Sequence, residues 1–93
     1  MSLETLVVKY IESAEIVLQD LQIQGSLKID EQQINQIIEY VKDYLADAKY
    51  YRTQNRLETS LISVAYCEGL LDALRLLGAV KFEWPQKPIT KEK

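Results

Sequence analysis

Apolar residues recur along this chain at intervals of three and four, the period at which side chains share one face of an α-helix. Two polar breaks, at residues 24–26 and 53–56, divide this pattern into three blocks. Asp30 and Gln33 have the residue types of a helix N-terminal capping box, and Gly78 suits a helix C-terminus. No segment alternates apolar and polar residues as a half-buried strand does. The pattern predicts helices over about residues 3–23, 31–52 and 57–77.

The short break before the third block makes the second and third helices antiparallel neighbours. We therefore predict an all-α fold, an up-down-up three-helix bundle that forms a single domain over residues 1–80. Residues 81–93 are expected to form a short extended tail, partly disordered, that frays from Gln86 onward. Phe82 and Trp84 in this tail are expected to dock on the bundle or on a partner.

The third predicted helix has an unusually wide apolar surface, which covers about 200° of its circumference. Such a helix must be covered on more than one side. Either it lies centrally between the other two helices, or part of it is a subunit interface. We expect a non-catalytic interaction module that associates with itself, or with another protein, through this helix.

Composition narrows the possible chemistry. The chain of 93 residues has no histidine, which removes histidine general bases and metal ligands, and one cysteine, which excludes an internal disulfide. Its net charge of −3 argues weakly against a dedicated nucleic-acid binder. No membrane-spanning stretch and no leader peptide are recognisable. We expect a cytoplasmic protein that binds neither cofactor nor membrane.

Tyrosines line one edge of the second predicted helix. Tyr40, Tyr44 and Tyr51 share this edge with Asp47, and Tyr66 from the third helix is within reach of it. The favoured interpretation is that these rings pack at the edge of the core with their hydroxyls in water. The alternative is a recognition surface for a peptide or nucleotide. Such a surface, together with the basic tail, would make the protein a nucleic-acid- or nucleotide-associated accessory domain.

Carboxylates also form pairs four residues apart, Asp43 with Asp47 and Glu68 with Asp72, so that each pair shares a helix face. A metal site or an acid–base pair is conceivable there. Paired-metal helical bundles, however, use histidine as well as glutamate, and this chain has none. We interpret the pairs as a solvated acidic face and predict no metal ligand and no catalytic residue.

Two small residues lie in the third predicted helix. Gly69 costs about 1 kcal/mol relative to alanine inside a helix, which indicates a close approach by another helix rather than access for a ligand. Cys67 lies in the wide apolar arc and is expected to be a small buried apolar residue. A role as a nucleophile is disfavoured because no histidine exists to activate it.

Two segments carry a resemblance to a known family. They read D-A-K-Y-Y at residues 47–51 and Y-C-E-G-L-L-D-A at residues 66–73. Over about residues 30–80 the chain resembles the archaeal domain-of-unknown-function family numbered 357, whose pattern is D-A-x-Y-[FY] followed by Y-[AC]-x-G-[LW]-[LM]-D-A. The family usually has Gly-Asp where this chain has Asn55 and Arg56, and often alanine at Ser60.

The resemblance implies a small cytosolic archaeal helical domain without an assigned activity. The positions that it singles out are Asp47, Tyr51, Tyr66, Gly69 and Asp72. The sequence leaves open whether the two aspartates and two tyrosines of this set converge on one pocket or form a buried hydrogen-bonded cluster. The complete candidate set is Tyr40, Tyr44, Asp47, Tyr51, Tyr66, Gly69 and Asp72.

Overall fold

The computed structural model describes residues 2–85, which form three helices and no strand. These are α1 (Leu3–Asp20), α2 (Glu31–Thr53) and α3 (Leu57–Leu76). The predicted all-α fold of three helices is confirmed. The apolar pattern of the first block continues to Ile23, but the helix ends earlier, because periodicity reports which side chains are apolar and not where backbone hydrogen bonding stops. The fraying expected from Gln86 onward lies outside the described residues.

Polar side chains fix where the first two helices begin. The Ser2 hydroxyl accepts a hydrogen bond from the Thr5 amide at 3.0 Å. At the start of α2, the Gln33 amide donates to the Asp30 carboxylate at 2.9 Å, and the Asp30 amide donates to the Gln33 side chain at 3.0 Å. This reciprocal pair is the capping box that the sequence predicts, and it satisfies two amides that have no partner inside the helix.

Both helices of the α2–α3 hairpin end in the same way. Asn55 and Gly78 have left-handed backbone conformations, with φ of 58° and 78°. After Asn55, the Arg56 amide donates a hydrogen bond to the Tyr51 carbonyl. After Gly78, the Ala79 amide donates one to the Leu74 carbonyl, and both hydrogen bonds are 2.9 Å long. This six-residue closure terminates a helix and turns the chain sharply.

The core lies along the seam between α2 and α3. Two side-chain contacts set the register of this antiparallel pair. The Ser60 hydroxyl donates to the Ala48 carbonyl at 2.7 Å, and the Cys67 thiol donates to the Val41 carbonyl at 3.4 Å. Seven residues forward on α3 therefore match seven residues back on α2. The buried residues are Val41, Ala48, Ser63, Cys67 and Leu74.

Helix α1 stands apart from this hairpin. None of its residues is buried, and it does not pack against α2 or α3 as these two pack against each other. The radius of gyration is 16.4 Å, whereas a compact domain of this length has about 12 Å. An open groove of about 720 Å³ separates the apolar face of α1 from Ile62 of α3. The wide apolar surface of α3 is thus covered by α2 on one side only.

Among residues 2–85, no helix has both the length and the apolar character needed to cross a membrane.

Candidate functional site

The candidate residues of the hairpin separate into three places instead of converging. Because Ser60 pairs with Ala48 and Cys67 with Val41, residue 61 is level with Asp47. Asp72 lies eleven residues further along α3, which corresponds to about 16 Å along the helix axis. Asp47 and Asp72 therefore share neither a pocket nor a hydrogen-bonded cluster.

The middle of the hairpin holds a pair of tyrosines. The rings of Tyr44 and Tyr66 meet edge to face, with centroids 4.6 Å apart and planes at 64°. This is the contact by which Tyr66 reaches the tyrosine edge of α2. Tyr40 and Asp47, on the same edge, are exposed. The pair ties the two helices together at the rim of the core, as edge-to-face aromatic contacts do.

Tyr51 belongs to the turn between the two helices. Its half-buried ring lies 5.6 Å from that of Tyr50, and the Arg56 guanidinium lies 5.1 Å from its centroid on the other side of the turn. A guanidinium at that distance from an aromatic face is attracted by the ring electrons. Tyr51 and Arg56 therefore brace the closure around Asn55.

Asp72 fastens the segment that follows α3. Its carboxylate accepts a hydrogen bond from the Trp84 indole at 2.8 Å and another from Arg75 at 3.2 Å. The Trp84 hydrogen bond, followed by that of Arg75, lowers the pKa of Asp72 below its ordinary value of 3.8. Phe82 packs edge to face on Trp84, with ring centroids 5.0 Å apart. The Arg75 guanidinium lies 5.8 Å from the centroid of the Phe82 ring.

Phe82 and Trp84 therefore dock on α3 of their own chain. Sequence reasoning assigned Asp72 to a carboxylate pair with Glu68 and missed its link to Trp84. The available signal was the single tryptophan of the chain, placed shortly after a helix with an acid on its surface.

Gly69 is not approached by another helix. A Cβ atom built at this position would meet nothing within 4 Å, so no helix among residues 2–85 makes the close approach predicted from the sequence. The reason is that α1, the only remaining helix of the described residues, does not pack on this side of α3. Gly69 instead lies in an open apolar surface.

Residues 2–85 contain no group of three or more cysteine, aspartate or glutamate side chains able to hold a metal ion. Cys67 is buried as predicted, and its burial raises the pKa of the thiol above 9.0, which keeps it protonated at neutral pH. Its two roles are to fill the seam and to donate to Val41.

An apolar surface on α3 lies beside the seam, on the same side as the Tyr44–Tyr66 contact, and has no role in the contacts described so far. We call it the outer face. Every member is exposed or, at Gly69, borders open space. The sequence indicated a wide apolar arc but not that one side of it would remain uncovered. The outer face consists of Ile62, Tyr66, Gly69, Ala73 and Leu77.

Comparison with known proteins gives one match. Residues 9–80 match the family described as "Protein of unknown function (DUF357)". No curated protein and no solved structure shows significant similarity to this chain. The matched range covers most of the chain and includes the whole α2–α3 hairpin. The chain therefore belongs to the DUF357 family of proteins of unknown function.

Proposed function

We propose that this protein is a non-catalytic helical interaction module, and that its partner is a second copy of the same chain, contacted through α3. The observation that carries the proposal is the amount of surface left exposed. Eight of the eighteen residues of α1 are large apolar side chains exposed to solvent, and Ile62, Tyr66 and Leu77 of the outer face are exposed as well. Contiguous apolar surface on that scale is unusual for a monomer and marks a contact site.

The area can be compared with what a stable interface requires. The accessible surface is 8419 Å², whereas a folded monomer of this mass exposes about 5,500 Å². Residues outside 2–85 cannot account for the difference. Even with the full surface of an extended chain they would contribute about 1,500 Å². The remaining excess of about 1,400 Å² exceeds the roughly 800 Å² per partner of a standard protein–protein interface.

Two further features support an interaction role over a catalytic one. The candidate carboxylates lie far apart along the hairpin, and the thiol is buried and protonated. The alternative role, nucleotide binding through the tyrosine edge, has weaker support. The ring of Tyr44 already contacts Tyr66, and the exposed carboxylate of Asp47 beside it would repel a phosphate.

The test is the mass of the full chain in solution, measured by light scattering over micromolar concentrations. We expect twice the chain mass of 10.8 kDa, falling towards 10.8 kDa on dilution. A constant mass of 10.8 kDa, with a radius of gyration near 12 Å, would mean that α1 closes on its own hairpin and would refute the proposal.

Two neighbouring residues provide a matched pair of variants. Ile62 and Leu61 are exposed to similar extents, 65% and 69%, but point about 100° apart around α3. Ile62→Glu, on the outer face, should convert the dimer to monomer, while Leu61→Glu should leave it intact. The reverse result would place the interface on another side of α3 and rule out the outer face, and a dimer that both variants leave intact would contradict a contact through α3.

A further inference from the structure

We infer that two copies pair through an antiparallel, two-fold contact between their α3 helices, centred between Gly69 and Leu70. This inference rests on the proposed self-association and specifies its geometry. The outer face residues follow one another at intervals of four, three, four and four, so that they occupy a sector of about 80° on α3. Such a narrow straight stripe is the shape that a second helix covers.

The stripe is open along its whole length. Ile62, Tyr66 and Leu77 are 65%, 51% and 66% exposed. Ala73 is exposed too, and a Cβ at Gly69 would meet no atom within 4 Å. α2 packs beside this stripe, and α1 borders a groove at its Ile62 end.

The sizes of these side chains suit antiparallel pairing. When a helix pairs with a copy of itself about a two-fold axis perpendicular to both helices, each residue faces one at the same distance beyond the midpoint. With the midpoint between Gly69 and Leu70, the large Tyr66 faces the small Ala73 of the second copy. Ile62 faces Leu77, and the two Gly69 residues lie beside the axis. A large tyrosine ring therefore packs against a small alanine on each side of the centre, and aliphatic side chains pack together at both ends.

Parallel pairing lacks this fit. It would set Tyr66 against Tyr66 and Ala73 against Ala73, which crowds one level and leaves a void at another. Close packing tolerates neither overlap nor voids. An interface that uses the same patch on both copies also closes on itself, which gives a dimer instead of a filament.

The groove beside α1 agrees with this geometry. Ile62 borders it together with the apolar face of α1, including Val7 and Tyr10. In the antiparallel pair, Leu77 of the second copy lies opposite Ile62 and therefore at this groove. The apolar face of α1, which contacts little in its own chain, would then cover the end of the second copy's α3.

Disulfide cross-linking of single-cysteine variants tests the arrangement. All variants carry Cys67→Ala, and circular dichroism verifies that each remains helical. In the antiparallel pair, the two copies of residue 62 are about 22 Å apart along the axis, whereas disulfide formation requires Cα atoms within about 7 Å. Ile62→Cys and Leu77→Cys should each stay uncross-linked alone in a glutathione redox buffer, and most of the protein should cross-link when the two are mixed.

Gly69→Cys should cross-link with itself, and Leu61→Cys, which points away from the outer face, should cross-link with neither itself nor Leu77→Cys. Self-cross-linking of Ile62→Cys would indicate parallel pairing and overturn the inference. If light scattering shows a dimer but Ile62→Cys and Leu77→Cys do not cross-link when mixed, the inference is overturned and the proposed self-association stands. A monomer by light scattering would overturn both.

Discussion

At the scale of single residues, the backbone conformation at two positions sets the ends of the hairpin helices. Asn55 and Gly78 adopt positive φ, where a side chain with a Cβ is strained. Asparagine tolerates this conformation better than other residues with a side chain, and glycine carries no penalty. The difference between these residue types makes the turn testable by substitution.

Asn55→Ala should lower the free energy of unfolding by about 1 kcal/mol, because alanine pays the full cost of the left-handed conformation. Asn55→Gly should be neutral or slightly stabilising. Urea denaturation followed by circular dichroism measures both. The control is Gln54→Ala at the preceding position, where φ is −89° and alanine is unstrained. Equal losses at positions 54 and 55 would contradict the strain argument.

Other residue-level features were accessible from the sequence because they depend on near neighbours. The capping box at Asp30 spans three residues, and the C-terminal role of Gly78 depends on its own φ. The burial of Cys67 followed from its place in the apolar arc. The close approach expected at Gly69 is not made within the described residues, since such an approach depends on another helix and not on neighbouring residues.

At the scale of elements, the segment after α3 is attached through one carboxylate. Trp84 donates to Asp72, and Phe82 and Arg75 complete the contact. Trp84 is the only tryptophan of the chain, so its fluorescence reports this attachment without labelling.

The attachment should depend on pH. Because folding lowers the pKa of Asp72 below 3.8, the hydrogen-bonded carboxylate stabilises the docked segment above about pH 4, and this contribution is lost as acid protonates it. We expect Trp84 emission to shift towards longer wavelength as the pH falls below about 4, because the indole becomes solvated when Asp72 is protonated. Asp72→Ala should show the shifted emission already at pH 7.

Glu68→Gln is the matched control, since Glu68 is an acid near Trp84 that makes no hydrogen bond to the indole. This variant should retain the emission and pH profile of the parent chain. An emission maximum that is unaffected by Asp72→Ala would show that the hydrogen bond does not hold the segment.

At the scale of the whole molecule, the hairpin is the stable unit. Its seam holds all the buried side chains of the described residues, and the exposed α1 adds none. Stability should therefore be sensitive to the seam and insensitive to the opposite side of α3.

Leu74 and Leu76 test this on one helix, since Leu74 is 2% exposed and Leu76 is 77% exposed. Leu74→Ala should lower the free energy of unfolding by about 2–5 kcal/mol, because it removes apolar contacts and leaves a cavity. Leu76→Ala should change it by less than about 0.5 kcal/mol. Thermal unfolding at submicromolar concentration compares them, and similar losses would show that the seam is not the core.

The sequence by itself determined the three helices, their caps and the antiparallel hairpin. These follow from periodicity, local hydrogen bonding and a short connection, all of which act within a few residues. Only the tertiary structure decided that Asp47 and Asp72 lie far apart, that Trp84 binds Asp72, and that α1 leaves the outer face of α3 open. These depend on the register between helices and on which surfaces meet, and an apolar stripe specifies burial without specifying its partner.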